Sequence, residues 1–236
     1  MADSIYKSME MKKECIILAG GEGRRAGAGL PKQFHNLGGV PLLWWSVRRF
    51  HEEDPSAGIS VVLHPGFFDW WDVMVRELPD ADREINVRLV CGGPSRAASV
   101  RNGLVGLPDD ASTFVAVHDG ARPLVDTALI RRGWEAAENH GAAIPAIKVT
   151  DSLRELLPDG GSAAVDRSRY VAVQTPQVFR ADILREAYRL DDRPEFTDDA
   201  SRVEACGHEI YLYEGSPENI KVTVPGDFKI AEALFG

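Results

Sequence analysis

Short apolar runs alternate with longer amphipathic stretches along most of the chain. Their lengths and boundaries predict buried strands at residues 15–19, 59–63, 87–90, 114–117, 142–147 and 210–213. The stretches between and after them predict helices at residues 41–50, 67–78, 97–104, 126–139, 181–190, 198–205 and 225–235. Pro41 stands at the start of the first helix, and Asp126 is placed to cap the fourth. Such alternation predicts an α/β fold: a Rossmann-like, mainly parallel sheet with helices on both faces.

The alternation breaks between residues 150 and 175. There, extended stretches at residues 153–157 and 170–173 lie on either side of the turn sequence Pro-Asp-Gly-Gly at residues 158–161. We interpret residues 150–175 as an extended β-arm that protrudes from the domain. Residues 1–13 are polar with scattered charge and are interpreted as a ragged lead-in, which leaves residues 14–236 as a single domain.

Composition narrows the possible partners. The chain has 236 residues, and its 36 acidic against 27 basic side chains give a net charge of −9, which disfavours nucleic acid and anionic lipid as partners. No apolar run approaches the length of a membrane span, so we expect no membrane association. Three cysteines without metal-ligand spacing are typical of a reducing compartment, and we expect a cytoplasmic protein.

The loop after the first strand combines glycines with cations. Its glycines include Gly20, Gly21 and Gly23, and its cations are Arg24, Arg25 and Lys32. Glycines allow backbone N–H groups to approach phosphate oxygens closely, and three cations in one loop suit a triphosphate. Because ligands of open α/β sheets bind beyond the carboxyl ends of the strands, the loop predicts a nucleotide site.

Two other nucleotide-binding patterns fit this loop less well. Residues 21–26 match the dinucleotide fingerprint, but later glycines and a proline interrupt the required helix, and His64 follows the second strand where an acidic residue is needed. The Walker pattern fails because Gln33, not Ser or Thr, follows Lys32. An NAD-dependent oxidoreductase and a non-catalytic nucleotide-binding subunit remain the alternatives from other functional classes.

Further motifs follow in a fixed order along the chain. They are residues 91–99 (CGGPSRAAS), 118–123 (HDGARP), 165–167 (VDR), 174–179 (QTPQVF), 197–201 (TDDAS) and 219–223 (NIKVT). The glycine loop and its Pro-Lys pair resemble the sugar-phosphate nucleotidyltransferases. With the later motifs, nearly the whole chain from Cys15 onward resembles the 2-C-methyl-D-erythritol 4-phosphate cytidylyltransferase family of isoprenoid-precursor enzymes.

The resemblance implies a role for each matching residue. The implied nucleotide-binding residues are Ala19, Gly20, Gly21, Gly23, Gly93 and Ser99, the last two at the cytosine. The implied catalytic residues are Arg25, Lys32, Asp119, Arg167 and Lys221, of which Arg25 and Lys32 would grip the phosphates. The implied acceptor-binding residues are Arg122, Ser152, Thr175 and Thr197. Asp119 would also be the carboxylate nearest to Mg²⁺.

The resemblance also implies partners. The substrates would be CTP and a small polyol phosphate, with Mg²⁺ or another divalent cation carried by the nucleotide. The family is dimeric, and its arm crosses to the second subunit, so Arg122, Ser152 and Arg167 would serve the neighbour's site.

Departures from the family pattern concern the choice of acceptor. The loop begins Leu-Ala-Gly-Gly, closer to ribitol-5-phosphate cytidylyltransferases than to the usual Pro-Ala-Ala-Gly. Pro94 replaces a common acidic residue, and Ser152 stands where threonine is usual. The motifs at residues 118–123 and 165–167 favour methylerythritol phosphate, and ribitol 5-phosphate is the alternative acceptor.

Overall fold

The computed structural model describes residues 11–20 and 31–235. The strands among these residues are β1 (Lys12–Ala19), β2 (Asn36–Leu37), β3 (Val40–Pro41), β4 (Gly58–Leu63), β5 (Val87–Cys91), β6 (Thr113–Asp119), β7 (Ala142–Lys148), β8 (Arg154–Leu156), β9 (Ser162–Ala164), β10 (Val171–Val173), β11 (Gln177–Arg180) and β12 (Tyr211–Glu214). The α-helices are α1 (Leu42–Glu53), α2 (Phe68–Glu77), α3 (Asp80–Arg83), α4 (Arg96–Leu104), α5 (Thr127–His140), α6 (Ala181–Ala187), α7 (Asp199–Ala205) and α8 (Pro225–Phe235).

The main sheet is mixed but mostly parallel. Its order is β5-β4-β1-β6-β11-β7-β10, and β12 pairs with β7. The pairs β1–β4, β1–β6, β4–β5 and β7–β12 are parallel, whereas β10 and β11 run antiparallel to their neighbours. The predicted α/β class with a mainly parallel sheet is therefore confirmed.

Residues along β1 alternate between two apolar cores, one on each face of the sheet. Cys15 and Ile17 join the cluster that includes residues of α1, α2 and α5, whereas Ile16 joins the cluster that includes residues of α4, α6 and α7. All three side chains are fully buried. Because successive side chains of a strand point to opposite faces, a continuous apolar run at this position requires helices on both sides of the sheet.

Most predicted elements form close to their expected bounds, and the differences have local causes. Pro41 lies in β3 and precedes α1, so this helix begins one residue later than the sequence predicts. Asp126 caps α5 as predicted, since its carboxylate accepts a hydrogen bond from Leu129 N at 2.6 Å. Gly141, with a left-handed φ of 79°, ends that helix. The sequence prediction omitted the β2–β3 hairpin and the antiparallel strand β11.

The segment predicted as an arm divides into two parts. Strands β8 and β9 form a separate two-stranded hairpin, whose tip carries Leu156 with 84% of its surface exposed. The last part, β10, instead pairs with β7 in the main sheet. The domain boundaries and the assignment of residues 150–175 as a dimerisation arm stay predictions.

The carboxyl ends of four strands meet at one edge of the sheet. Ala19 of β1 is in register with Leu63 of β4, which is in register with Cys91 of β5, and Leu18 is in register with Asp119 of β6. The segments that follow these strands contain most of the sequence motifs. Within the described part of the chain, no helix has the length and apolar character needed to cross a membrane.

Candidate functional site

The first wall of the site is formed where the glycine loop leaves β1. Ala19 is buried at the end of the strand, and its carbonyl accepts a hydrogen bond from Gln33 Nε2 at 3.3 Å. Gln33 lies beside Lys32 in a short 3₁₀ turn (Lys32–Phe34), so the two ends of the loop are held together. The predicted residues Gly21, Gly23 and Arg25 lie outside the described residues.

The second wall follows β5 and opens helix α4. Gly93 N donates to Ser99 Oγ at 3.1 Å, and the hydroxyl of Ser95 caps the helix by accepting from Ala98 N at 3.0 Å. A Cβ placed on Gly93 would lie 2.4 Å from Ala98 Cβ, and one on Gly20 would lie 3.5 Å from Ser99 Oγ. The predicted nucleotide-binding residues Gly20, Gly93 and Ser99 are therefore brought together, and at Gly93 the close packing excludes a larger residue.

Asp119, at the end of β6, is surrounded by three cations. Its Oδ2 lies 2.8 Å from Lys221 Nζ and 3.8 Å from Arg122 Nε, and its Oδ1 lies 3.9 Å from Arg96 Nε. We call these four residues the Asp119 cluster. Arg96 is also paired with Asp199, but three positive charges against these two carboxylates leave a net positive charge, so the cluster is suited to receive an anionic group.

The charge state of the cluster follows from these contacts. Burial opposes the negative charge of Asp119, but Lys221 and Arg96 outweigh it and lower the pKa of the carboxyl group below its usual value. Burial likewise opposes the charge of Arg96, but the carboxylate of Asp199 outweighs it and raises the pKa of the guanidinium. Asp119 is therefore ionised at neutral pH.

Arg96 is held from behind by a buried carboxylate. Its Nη1 and Nη2 donate to the two oxygens of Asp199 at 3.0 and 2.6 Å, and the hydroxyl of Tyr188 donates to the same carboxylate. The side chain of Asp199 is fully buried. Arg96 and Asp199 were absent from the predicted site residues, although both lie within quoted motifs. Both residues stand close in sequence to predicted site residues, which is a signal that could have identified them. Their pairing with each other can be recognised only in the folded structure.

One backbone segment supports several of the predicted residues. The carbonyl of Asn219 accepts from Arg122 Nη1 at 2.7 Å, and the carbonyl of Val222 accepts from Lys32 Nζ at 2.6 Å. Between them lies Lys221, the partner of Asp119. The segment is itself tied to the turn after β6, since Val222 N donates to Ala121 O at 2.8 Å. Asn219 is also absent from the predicted residues.

Thr175, a predicted site residue, and His118, the residue before Asp119, both lie behind Asp119. Thr175 is 5% exposed, and its hydroxyl accepts a hydrogen bond from Asp119 N at 3.0 Å. His118 is fully buried, and burial lowers the pKa of its imidazole to about 4, so the ring is neutral at pH 7. His118 belongs to the motif at residues 118–123 but was not among the predicted site residues.

These features surround one cleft of about 1450 Å³. The predicted site residues that line it are Ala19, Gly20, Lys32, Gly93, Ser99, Asp119 and Lys221. Arg96, Asp119 and Lys221 of the Asp119 cluster therefore face the same cleft as the glycine-rich segments. Small-molecule sites usually have volumes of about 300–1,000 Å³, so this cleft exceeds the size that one small ligand needs.

Other predicted residues do not line the cleft. Arg122 is half-buried and Thr175 is buried, both behind Asp119. Ser152, Arg167 and Thr197 are exposed at the surface. Arg167 donates to the backbone carbonyl of Thr150, within the segment predicted as an arm. Their predicted roles at the acceptor phosphate stay predictions.

Comparison with known proteins agrees with this geometry. Residues 14–236 match the model of the family described as IspD: 2-C-methyl-D-erythritol 4-phosphate cytidylyltransferase. This chain belongs to that family.

Individual members of the 2-C-methyl-D-erythritol 4-phosphate cytidylyltransferase family are similar over their full length. The chain is 44% identical to the enzyme of that name from Bacteroides thetaiotaomicron over 224 residues, covering 95% of this chain and 100% of the relative. It is 45% identical to the one from Porphyromonas gingivalis over 227 residues, covering 96% and 99%. The crystal structure of the Thermus thermophilus enzyme is 34% identical, covers 95% of this chain and 98% of its own, and gives a TM-score of 0.73.

Membership of the cytidylyltransferase family decides between the classes left open by the sequence. The chain is related to enzymes that transfer a nucleotidyl group, which disfavours both the NAD-dependent oxidoreductase and the non-catalytic subunit. The family match also favours methylerythritol phosphate over ribitol phosphate, despite the Leu-Ala-Gly-Gly opening of the loop.

Proposed function

We propose that this protein joins CTP and 2-C-methyl-D-erythritol 4-phosphate, giving 4-diphosphocytidyl-2-C-methyl-D-erythritol and pyrophosphate for isoprenoid biosynthesis. The observation that carries the proposal is one cleft lined by two kinds of residue. Its lining includes Gly20, Gly93 and Ser99 together with the charged residues Lys32, Asp119 and Lys221. Glycines allow the close approach of a nucleotide, and the cations suit its phosphates and a second anion.

In the proposed reaction, a phosphate oxygen of the acceptor attacks the α-phosphorus of CTP. A P–O bond forms there while the bond to the leaving pyrophosphate breaks. The attacking phosphate is already ionised near neutral pH, so no general base is needed. His118 fits this view, because the ring is fully buried and both of its nitrogens lie near protein groups.

The main task of the protein in such a reaction is to place two anions together and to balance their charge. Lys32 and Lys221 line the cleft as point charges, and Arg122 reinforces the cationic side from behind. We assign Lys32, with Arg25 from the glycine loop, to the phosphates of CTP. We assign Lys221 to the acceptor phosphate, with Arg122 adding positive charge from behind and Asp119 holding both cations in place.

We expect Mg²⁺ to be bound together with the triphosphate. The described residues contain no cluster of three or more histidine, cysteine or acidic side chains that could hold a metal by themselves. Asp119 fits a shared site, because Mg²⁺ is commonly bound by one or two carboxylates together with substrate phosphates. When bound, the ion supplies positive charge to the phosphate oxygens.

We further propose that the protein works as a cytoplasmic homodimer. Ser152 and Arg167 are exposed and do not line the cleft of their own chain, and the hairpin between them presents Leu156 to solvent. An arm of this kind could place Arg167 at the acceptor side of a neighbouring cleft. The cytoplasmic assignment rests on the unpaired cysteines expected in a reducing compartment.

The test is CTP-dependent release of pyrophosphate, with methylerythritol phosphate and ribitol 5-phosphate measured side by side in Mg²⁺. We expect release with methylerythritol phosphate and a much lower kcat/KM with ribitol 5-phosphate. A preference for ribitol 5-phosphate would replace the proposed acceptor, and no release with either would defeat the proposed reaction. Titration with NADH, followed by its fluorescence, tests the oxidoreductase alternative, and we expect no binding.

A further inference from the structure

A closed chain of hydrogen bonds runs behind the turn that carries Asp119. Asp119 N donates to Thr175 Oγ1 at 3.0 Å, and Thr175 Oγ1 lies 3.1 Å from His118 Nδ1. On the other side of the ring, His118 Nε2 lies 3.3 Å from the carbonyl oxygen of Arg122. The chain therefore begins at the backbone of Asp119 and returns to the backbone of Arg122, both members of the Asp119 cluster.

The direction of each hydrogen bond follows from the chemistry of its partners. A carbonyl oxygen can only accept, so His118 Nε2 carries the proton and donates to Arg122 O. The hydroxyl of Thr175 accepts from Asp119 N, and its own proton is then available for His118 Nδ1. All the hydrogen bonds therefore run in one direction, from Asp119 N to Arg122 O, and the one proton of the Thr175 hydroxyl is donated to His118. A residue without a hydroxyl at position 175, or without a ring acceptor at position 118, would break it.

Thr175 also holds the opposite partner of the ion pair. Its backbone carbonyl accepts from Asn219 Nδ2 at 2.9 Å, and Asn219 is fully buried two residues before Lys221. The side chain of Thr175 thus supports Asp119, while its backbone supports the segment that carries Lys221. The two supports meet at one residue, and the ion pair between Asp119 Oδ2 and Lys221 Nζ closes the arrangement at 2.8 Å.

We propose that His118 and Thr175 are positioning residues, which fix Asp119, Arg122 and Lys221 relative to one another without touching either substrate. The inference rests on the proposed transfer reaction. It differs from the direct acceptor contact that the family resemblance implies for Thr175. The hydroxyl of Thr175 is buried, and it makes its hydrogen bonds to Asp119 N and His118 Nδ1.

The first test uses isosteric and conservative variants. Thr175→Val removes the hydroxyl with little change of shape, Thr175→Ser keeps the hydroxyl, and His118→Asn keeps an acceptor for Thr175 but shortens the reach to Arg122 O. We expect Thr175→Val and His118→Asn each to lower kcat by about ten- to a hundredfold, as small misplacements of reacting groups do. We expect Thr175→Ser to recover most of that loss, and CTP affinity, measured by calorimetry, to stay within about twofold of wild type in every case.

Two controls separate positioning from other roles. His140→Asn changes a histidine that stacks on Tyr211 outside the cleft, and it should leave kcat unchanged. The double variant with Thr175→Val and His118→Asn should lose no more activity than the weaker of its two parents, because both changes break the same chain. Multiplied losses in the double variant, or a raised acceptor KM with unchanged kcat in Thr175→Val alone, would overturn the proposal in favour of direct contact.

A second measurement does not depend on activity. In a crystal structure of Thr175→Val we expect the Asp119–Lys221 ion pair to open and the backbone of residues 118–122 to shift, while α4 and its Gly93–Ser99 hydrogen bond stay in place. An unchanged Asp119 position in that structure would overturn the inference. If wild-type protein releases no pyrophosphate, the proposed function fails, whereas this structural outcome still decides whether His118 and Thr175 fix the cluster.

Discussion

The Asp119 cluster and the β8–β9 hairpin place their polar groups by opposite means. In the cluster, Asp119 has a side-chain exposure of 13%, and its partners are fixed by contacts from distant parts of the chain. In the hairpin, the side chain of Arg154 donates to Ser162 across the two strands, through Nε to Oγ at 2.8 Å and Nη2 to the carbonyl at 2.7 Å. The cluster is therefore preorganised within one subunit. The exposed groups of the hairpin contribute only when a partner or substrate contacts them.

This difference predicts unequal costs of substitution. A preorganised group in a water-poor cleft stabilises developing charge strongly, because no solvent has to be reorganised during the reaction. An exposed group contributes only when a partner or substrate covers it. The experiments that follow test this contrast, beginning with the largest expected effect.

The largest effect is expected when a cation assigned to the phosphates of CTP is removed. Lys32→Ala, and Arg25→Ala in the glycine loop, should each lower kcat by about a hundredfold to a thousandfold, as the loss of a transition-state donor does. The measurement is pyrophosphate release under saturating CTP and methylerythritol phosphate. Lys12→Ala is the matched control, since this lysine is exposed and lies 3.6 Å from Asp110 far from the cleft. Turnover near wild type in both Lys32→Ala and Arg25→Ala would remove these residues from the reaction.

A second effect is the loss of unfolding free energy at acid pH that the burial of His118 causes. An unfolded histidine binds its proton near pH 6.5, whereas folded His118 does so only at about pH 4, so protons favour the unfolded state between these values. The stabilisation is fully present above pH 6.5 and is lost as the pH falls towards 4. The expected loss is about 3 kcal/mol of unfolding free energy.

Urea unfolding of the metal-free protein at pH 7 and pH 4.5 measures most of this loss, about 2 kcal/mol. Because carboxylates also titrate in this range, His118→Asn serves as the reference, and the difference between the two proteins isolates the histidine. We expect the variant to lose markedly less stability than wild type over the same interval. An equal loss in both proteins would mean that His118 is not held neutral by burial.

A smaller effect is expected for the arm. Arg167→Ala should raise the acceptor KM about tenfold, by loss of one charge-assisted phosphate contact, while calorimetric CTP affinity stays unchanged. Arg169→Ala, in the same 3₁₀ turn, is the matched control. An equal loss of CTP and acceptor binding would show that Arg167 supports the fold and not the acceptor.

Mixing two weakened variants tests which cleft Arg167 serves, provided that the acceptor concentration is far below its KM, where Arg167→Ala keeps about a tenth of wild-type activity. If the arm crosses to the neighbour, a dimer of Lys32→Ala and Arg167→Ala subunits contains one complete site, and mixing should restore about a quarter of wild-type turnover from random pairing. If the arm serves its own subunit, the mixture should be no more active than the average of the two unmixed variants. The experiment therefore distinguishes a site shared between two subunits from a site formed within one subunit, without a structure of the dimer.

The smallest effect on stability is expected at the hairpin tip. Leu156→Ser should change the unfolding free energy of the isolated subunit by no more than about 0.5 kcal/mol, because the side chain is 84% exposed. Sedimentation should nevertheless show weaker self-association, since an exposed leucine is stabilising only when another surface covers it. Unchanged association would exclude this residue from the proposed dimer contact.

The sequence predicted the sheet and most helices because apolar periodicity reports directly on burial. It also predicted that Lys32, Asp119 and Lys221 belong to one site, which is consistent with all three lining the cleft. Strand β11 was missed, because the run Gln-Val-Phe-Arg is short and its first residue is a buried glutamine that bonds to Asp198 at 2.7 Å. A polar residue at such a position gives no strand signal in the sequence alone.

The supporting residues of the site could not be predicted for a related reason. The pairing of Arg96 with Asp199 joins positions 103 residues apart, and that of His118 with Thr175 joins positions 57 apart. Neither pair has a local spacing that would indicate it. A motif identifies side chains that face a ligand, whereas the groups that hold them are defined by the packing of separate elements.

The carbonyl groups of Asn219 and Val222 accept hydrogen bonds from Arg122 and Lys32, and both carbonyls are part of the main chain. Ordinary mutagenesis cannot delete them, because every amino acid at these positions retains the same acceptor oxygen. A complete scan of side chains would therefore overlook a support of Arg122 and Lys32. Replacing the peptide bond after Val222 with an ester, whose carbonyl is a weaker acceptor, makes the support of Lys32 measurable once Asp227→Ala has controlled for the lost hydrogen bond from Thr223 N to Asp227.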